Sequence, residues 1–576
     1  MGETTPALVR RCEGLDDGAI HARAGDLGVD PLLVQILAAR QVADPDLQRR
    51  YLRPQLADLR RPDEMAGFEP ALDLLVTARR KRWRVGVFGD YDVDGVTTAT
   101  ILTTYLEAIG LEVVARVAHR ETGYGLGVDD ARALVEAGVD LVVTGDVGTS
   151  DIEALEWLRA RKIPTIVIDH HQVPEVLPPA NAFINPHQSG CGFPFKGLCS
   201  AGVAFYLCAA LRTTLRQHGV SNPPDPRGWL DLVAVATICD MMPLRDENRV
   251  LVSKGLAVLG GRARPGLRAM LELAGVERGL PIDEEHVAYK LGPRLNAPGR
   301  LGSAEPALQV LRARTHAEAR PLAERVEMLN ARRKRHSQQT LAEAMALLAA
   351  DPKLEHRSAL VVAHEGWLPG VVGIAAAGLV EHYGRPALVL AIDPATQIAR
   401  GSVRSAGGVD VRAALGACAD LLERHGGHRE AAGVTMAARH VETLVEAFDE
   451  AVARQSGVRV DTTSGPPMIV DDALPLRRVE PGLVKVLGSL GPYGVGFEPP
   501  RFLGQGLRVD GVRVLKDRHL KLVLRDDHAR HDAIAFGQAR EGIATGDRVD
   551  CIYWPVLDSF RGQRRLQLQI ERLWKS

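Results

Sequence analysis

The chain has 576 residues, 46% of them hydrophobic and 25% charged, with a formal net charge of −1. That length suits roughly three or four domains, and the composition is that of an ordinary globular protein, which excludes a disordered or collagen-like chain. No apolar run approaches the ~20 residues that span a bilayer, and acids in MGETTPALVRRCEGLDD stand where a signal peptide carries its apolar segment; a cytoplasmic protein without membrane attachment is expected.

Residues 1–70 are helix-leaning and Arg-rich, with Pro31 ahead of the helical run LLVQILAARQ. They are expected to form an N-terminal helical cap on the first domain. From Arg84 to Asp169 strand and helix signals alternate, which predicts βαβ units around a mainly parallel sheet. The predicted strands lie at Val85–Phe88, Val113–Ala118, Leu141–Thr144 and Thr165–Ile168, with helices from Val96 to Ile109, Val128 to Ala137 and Ile152 to Arg161. The first strand runs into Asp90, Asp92 and Asp94, three carboxylates in five positions before a helix. A favoured turn or N-cap role competes there with a cation site.

Further along, Leu141–Thr144 runs into Gly145 and Asp146, and Thr165–Ile168 into Asp169, His170 and His171. A later apolar segment, Leu232–Ile238, ends at Asp240. Four apolar segments thus end in carboxylates, one with a histidine pair attached. In a parallel arrangement these ends share one crevice. Carboxylates with one or two imidazoles suit Mn2+ or Mg2+ better than zinc, and their number suits two ions bridged by a shared carboxylate. GYGLG at Gly123–Gly127 does not follow a strand directly and does not fit G-x-G-x-x-G, so a dinucleotide site is rejected. The seven cysteines (Cys12, Cys191, Cys199, Cys208, Cys239, Cys418, Cys551) are scattered without a C-x-x-C pair, which argues for buried thiols in a reducing compartment and against a zinc site.

Residues 305–350 show long helical periodicity and include the basic cluster Arg332, Arg333, Lys334 and Arg335. After Gly457, the stretch Thr462–Pro467 reads as a linker. From Arg501 onward, short alternating runs separated by Asp and Gly turns predict a small β-barrel. This stretch carries 15 Lys/Arg against 10 Asp/Glu, as a polyanion-binding barrel would. Phe536, Tyr553, Trp554 and Phe560 are candidates to stack on bases, though a core place is the better expectation for each taken singly.

The motifs GDYDVDG, TGDVGTS, DHH and ATICDMMPL, followed by PRLNAPGRLGSA, PGVVGIAA, GSVRS, GGHREAAG and PYGVGFEPP, resemble the ordered motifs of RecJ-type single-strand-DNA-specific exonucleases in the DHH phosphoesterase superfamily. The resemblance covers Arg84 to the C-terminus. It implies an α/β chain with a parallel-sheet DHH domain (71–304), a helical connector (305–350), an α/β DHH-associated domain (351–457) and an oligonucleotide-binding β-barrel (458–576). It implies metal ligands at Asp92, Asp94, Asp146, His170 and Asp240, with Asp90 and His171 beside them and Asp146 as the bridge. It also implies a catalytic His428 on the glycine turn Gly426–Gly427, and substrate contacts from Arg120, Tyr124, Asn296, Arg300, Ser402 and Arg404. The implied activity is two-metal, 5′→3′ hydrolysis of single-stranded DNA to 5′-mononucleotides by a monomer. The implied setting is repair and recombination, with single-strand-DNA-binding protein and a helicase as partners. Two rival readings are a DHH phosphodiesterase on short oligonucleotides or cyclic dinucleotides (or a pyrophosphatase) and a non-catalytic DNA-binding relative. Three departures stand out: Phe88 and Leu368 replace frequent family histidines, and Val147 and Thr149 alter the second motif while keeping Asp146.

Overall fold

The computed structural model describes residues 8–9, 15–120, 123–456, 468–560 and 563–576. Cys12 and the linker expected between Gly457 and Pro467 lie outside the described residues. The chain forms two compact units. One comprises Arg61–Met242 and Lys254–Val460, and the other Met1–Arg60, Pro243–Ser253 and Asp461–Ser576.

The first unit begins with a five-stranded sheet, all parallel: β1 (Arg84–Gly89), β2 (Glu112–Val117), β3 (Leu141–Gly145), β4 (Thr165–Ile168) and β5 (Ala182–Ile184). The spatial order is β2-β1-β3-β4-β5. The order reverses between β1 and β3, and an open α/β sheet binds ligands outside the carboxyl ends of its strands at such a switch point. Asp90 follows β1 and Asp146 follows β3, so the topology alone puts these two acids together. The short β5 gives too little alternation to be read from sequence.

Helix α1 (Val93–Ala108) is buried along nearly its whole length, and its sequence mixes apolar residues with small threonines and leaves no broad charged face. Two of its internal threonines satisfy their hydroxyls locally: Thr97 donates to the Val93 carbonyl at 2.7 Å and Thr100 to Val96 at 2.7 Å. The core of one sheet face joins Phe88, Val142 and Val167 to Leu134 of α2 (Val128–Glu136) and Leu155 and Leu158 of α3 (Ile152–Ala160). Each such fully buried aliphatic contributes about 1.5–3 kcal/mol of transfer free energy. Phe88 is part of this apolar cluster.

Leu232–Ile238, expected to deliver Asp240 as the other apolar segments deliver their acids, lies within helix α5 (Leu230–Cys239), and Asp240 is its C-cap. A short wholly apolar run fits a buried helix as well as a buried strand. Two more helices complete the approach to the site, α4 (Ser200–Gln217) and α6 (Gly292–Arg300). The connector contains the 34-residue helix α7 (His316–Ala349). Along it the basic cluster is split, with Arg332, Lys334 and Arg335 exposed and Arg333 turned partly inward. Beyond lies a mixed five-stranded sheet, in the order Arg424–Gly427, Ala431–Ala437, Ile398–Arg404, Ala387–Ile392, Leu360–His364.

In the second unit, strands Phe502–Leu515, His519–Arg525, Arg530–Ala535, Gln563–Lys575 and Arg548–Phe560 pair in that order. The last pairs back to the first through Phe502 and Tyr553, closing a five-stranded barrel. Tyr553 is fully buried and belongs to the core, while Phe536 is 54% exposed. Trp554 is half-buried, and the Phe560 side chain lies outside the described residues.

The structure changes two expectations. Residues up to Arg60 group with the barrel: Leu32, Leu33, Ile36 and Leu37 join the same core as barrel residues Leu522, Val549 and Leu568. An amphipathic helix carries no record of which apolar surface it covers. Nor is the block 71–304 continuous, because Pro243–Ser253 belongs with the barrel. Arg249 anchors that excursion. Its guanidinium, fully buried, donates to the carbonyls of Tyr51 at 3.0 Å, Pro492 at 3.1 Å, Gly491 at 3.2 Å and also Leu490. No helix among the described residues is long and apolar enough to cross a membrane.

Candidate active site

Asp92 is the N-cap of α1, its carboxylate accepting from the Gly95 N–H at 3.1 Å. The competing turn role and the site role therefore fall on one residue, and the cap is Asp92, not Asp94. Asp94, in the first turn, is fully buried and held by another helix. The N–H groups of Ser200 and Ala201, at the start of α4, donate to its two oxygens at 2.7 and 2.9 Å. A helix N-terminus is a favourable place for a carboxylate. Asp146 sits in the left-handed region at φ 66°, which turns its side chain off the end of β3. Its Oδ1 accepts from the Ser200 hydroxyl at 3.1 Å.

His170 faces three of these acids. Its Nε2 is 3.3 Å from Asp146, 3.4 Å from Asp240 and 3.8 Å from Asp94. Three overlapping groups place ligand atoms within 4.8 Å of one another: Asp90, Asp92 and Asp146; Asp94, His170 and Asp240; and Asp146, His170 and His171. Asp146 stands in two of them. One oxygen of the buried Asp90 has no hydrogen-bond partner, which a native fold rarely leaves without an ion or water to satisfy it. This hard oxygen-rich donor set fits a divalent cation such as Mn2+ or Mg2+.

The electrostatics agree. Burial, then the neighbouring carboxylates, pushes Asp90 and Asp146 well above the usual carboxylate range, raises Asp92, and lifts Asp240 to about 8. Burial holds His170 below its ordinary value. Burial also works against a charged His171, but the Asp169 carboxylate 2.7 Å from Nδ1 outweighs it and lifts the ring to about 9. Asp169 itself, despite burial, is drawn to about 2 by that hydrogen bond and charge.

These perturbed groups make stability depend on pH. A carboxyl whose pKa is raised on folding holds protons that the unfolded chain has lost, so stability falls as pH rises from about 4 towards 8. The raised His171 acts in the same direction, its contribution fading through about 9, while the lowered His170 opposes it near its ordinary value. The melting temperature of EDTA-treated protein is therefore expected to fall by at least about 4 °C between pH 5 and 8. In excess Mn2+ the fall should vanish. Parallel slopes in EDTA and Mn2+, measured by scanning calorimetry, would refute a cation-binding cluster.

Asp169 was read from sequence as one of four carboxylates ending apolar segments at the crevice, without a ligand role, and the structure makes it the organiser of the pair. It accepts from the backbone N–H groups of Thr149 at 3.1 Å, His170 at 2.7 Å and His171 at 3.2 Å, besides the His171 ring. Tyr124, 52% exposed, donates its hydroxyl to the Asp146 carbonyl at 3.0 Å and lies 3.1 Å from His171 Nδ1.

A second constellation is basic. Burial, and the like charges of Arg120, Arg333 and Arg404, bring Arg300 down to about 10, with Asp92 pulling the other way. Four guanidinium groups from four parts of the chain therefore converge near the acids. Arg300 ends α6 and donates to the Gly370 carbonyl at 3.3 Å. Arg404 donates to the Ser402 hydroxyl at 2.7 Å, both on one strand face. Gly373 lies so close that a Cβ there would meet Ser402 and Arg404 atoms at 3.0 Å, and it opens the helix Val372–Tyr383. A helix N-terminus, a hydroxyl and guanidinium forks are the donor types that bind anions. Arg333 was read only as part of a charge cluster. It donates to the buried Asn330 at 2.7 Å, and its Nε is buried without a partner.

Asn296 is partly buried on α6, one turn before Arg300. His428 is not among the grouped ligands. It stands exposed after the edge strand that carries Gly426 and Gly427, its N–H donating to the Ala431 carbonyl at 2.8 Å.

Residues 84–237 match the DHH family, N-terminal domain, 356–454 the DHHA1 domain, and 470–572 the RecJ OB domain. The single-stranded-DNA-specific exonuclease RecJ of Escherichia coli is 33% identical over 578 residues, covering 94% of this chain and 96% of that protein. The chain belongs to the RecJ family. The RecJ of Bacillus subtilis is 32% identical, over 96% of this chain and 69% of its own. The crystal structure of Thermus thermophilus RecJ in complex with Mn2+ superposes with a TM-score of 0.80 at 30% identity, covering 99% of this chain and 79% of that one. A Mg2+ complex of the same RecJ is also similar, with a TM-score of 0.73. The RecJ fold thus extends over both units described above.

Proposed function

We propose that the protein is a metal-dependent exonuclease that degrades single-stranded DNA from its 5′ end, releasing 5′-mononucleotides. The observation that carries this reading is the pairing of a carboxylate-rich ligand cluster with four converging arginines. One holds the scissile phosphodiester, the other the terminal phosphate and adjoining backbone. Asp90, Asp92, Asp94, Asp146, His170 and Asp240 would hold two Mn2+ or Mg2+ ions, with Asp146 shared. When bound, the ions make a water acidic and neutralise charge on the attacking and leaving oxygens of an in-line displacement.

The chain's own groups do the rest. Asp169 accepts from His171 Nδ1, which fixes the ring's orientation and turns it towards the reacting phosphate. Arg120, Arg300, Arg333 and Arg404, with Ser402, hold the 5′-phosphate through bidentate, charge-assisted bonds. Tyr124 offers an exposed ring for a base to stack on, and Asn296 lines the same approach. His428 orients the scissile phosphate or protonates the leaving oxygen from its exposed turn beside Gly426 and Gly427. The barrel, with its excess of basic residues, grips strand distant from the cut. The protein would act in the cytoplasm as a monomer, in repair and recombination, supplied with single strands by a helicase and by single-strand-DNA-binding protein.

The test uses 5′-phosphorylated, 3′-labelled strands and matching duplex with Mn2+. Labelled mononucleotide should appear last from the single strand, and the duplex should persist. Equal loss of duplex, or early release of labelled mononucleotide, would overturn the reading.

A further inference from the structure

Tyr91 lies between two of the acids in sequence and between the acidic and basic clusters in space. The Arg120 guanidinium carbon is 4.1 Å from its ring centroid. Arg120 is held on a second side, its Nε donating to the Gly299 carbonyl at 2.8 Å. Gly299 itself sits so near the Tyr91 carbonyl that a Cβ would come within 2.3 Å of it. The ring of Tyr91 also meets Tyr124 edge-on, centroids 6.5 Å apart, and the Tyr124 ring meets His171 edge-on at 5.6 Å. One side chain thus touches the guanidinium with its face and, through an aromatic row, the histidine pair.

This contact answers a physical problem. Arg120 shares its surroundings with Arg300, and repulsion among guanidinium groups favours rotamers that swing away. The negative face of an aromatic ring attracts a cation and restrains its plane. We propose that Tyr91 is a positioning residue. By stacking under Arg120 it fixes the distance between the terminal-phosphate pocket and the carboxylate cluster, and so sets which phosphodiester is cut. This rests on the 5′-anchored reading above.

The experiment measures binding of 3′-fluorescein single strands bearing a 5′-phosphate or a 5′-hydroxyl, by anisotropy in EDTA, for wild type, Tyr91→Phe and Tyr91→Leu. Wild type and Tyr91→Phe are expected to prefer the phosphate about tenfold, equivalent to about 1.4 kcal/mol. Tyr91→Leu, lacking a ring face, should prefer it by about twofold or less. In Mn2+ its products should include dinucleotides beside mononucleotides. The preference is a ratio within each variant, so a general loss of fold lowers both affinities without mimicking the effect. A Tyr91→Leu protein that keeps the tenfold preference and a pure mononucleotide product would overturn the positioning role. A wild type with no preference would overturn the 5′-anchor itself, and the positioning role with it.

Discussion

Replacing Asp146 by asparagine is expected to abolish Mn2+-dependent cleavage, by about three orders of magnitude or more, while raising the melting temperature of the metal-free protein. Both effects have one cause. Burial, then the charges of Asp94, Asp92, Asp169 and Asp90, pushes the Asp146 carboxyl well above the normal range. An ionised Asp146 is therefore a strain on the empty fold and a ligand in the loaded one. Asparagine also tolerates the left-handed backbone at φ 66°, and it can keep the Ser200 hydroxyl bond, so the change is chiefly one of charge. A tenfold change in proton affinity is worth about 1.4 kcal/mol, and relief of one or two such steps raises the melting temperature of a domain of this size by about 3–6 °C. Calorimetry with EDTA and with Mn2+, beside a cleavage assay, reads all three quantities. Cleavage that survives would remove Asp146 from the centre. A lower metal-free melting temperature would show that hydrogen bonds, not a missing cation, hold the cluster together.

Asp169→Ala is expected to cost at least a hundredfold in activity although Asp169 is not among the grouped ligand atoms. Its carboxylate is the common acceptor for three backbone N–H groups and the His171 ring. Removing it leaves buried donors unpaired, a penalty of about 1–3 kcal/mol each, and frees the His171 ring to rotate. Loss of such an outer partner typically costs 10–100-fold in metal affinity or activity, and here the His171 ring and the backbone of both histidines depend on one partner. Asp169→Asn keeps the shape but sets an amide N–H2 where an acceptor is needed, so it should recover little activity. Wild-type turnover by Asp169→Ala, folded by circular dichroism, would refute the role.

Much of the metal centre could be read in the sequence because strand ends in a parallel sheet converge, and Asp90, Asp146 and Asp169 each follow an apolar run. Asp240 arrives by another route, at the end of a buried helix, and the short run Leu232–Ile238 does not distinguish the two. Ser200 left no signal: its contribution is a hydroxyl and an N–H at a helix start, set beside Asp94 by tertiary packing. Arg333 was visible only as one charge among four on a helix, and its inward turn depends on which face of α7 meets the rest of the unit. The N-terminal helix shows the same limit in the apolar direction. Leu32, Leu33, Ile36 and Leu37 announce a buried stripe, but only the folded chain shows it sharing a core with the barrel. The arginine pocket was legible in part, since Arg120, Arg300 and Arg404 came from family motifs, whereas the Tyr91 contact with Arg120 is a matter of geometry alone.

The proposed mechanism requires the acidic cluster to hold two ions about Asp146. A crystal grown with Mn2+, and recorded at a wavelength where manganese scatters anomalously, tests this directly. Two anomalous peaks roughly 3.5–4 Å apart, both within bonding distance of Asp146, are expected. A single peak there, or none while manganese binds elsewhere on the protein, would contradict it.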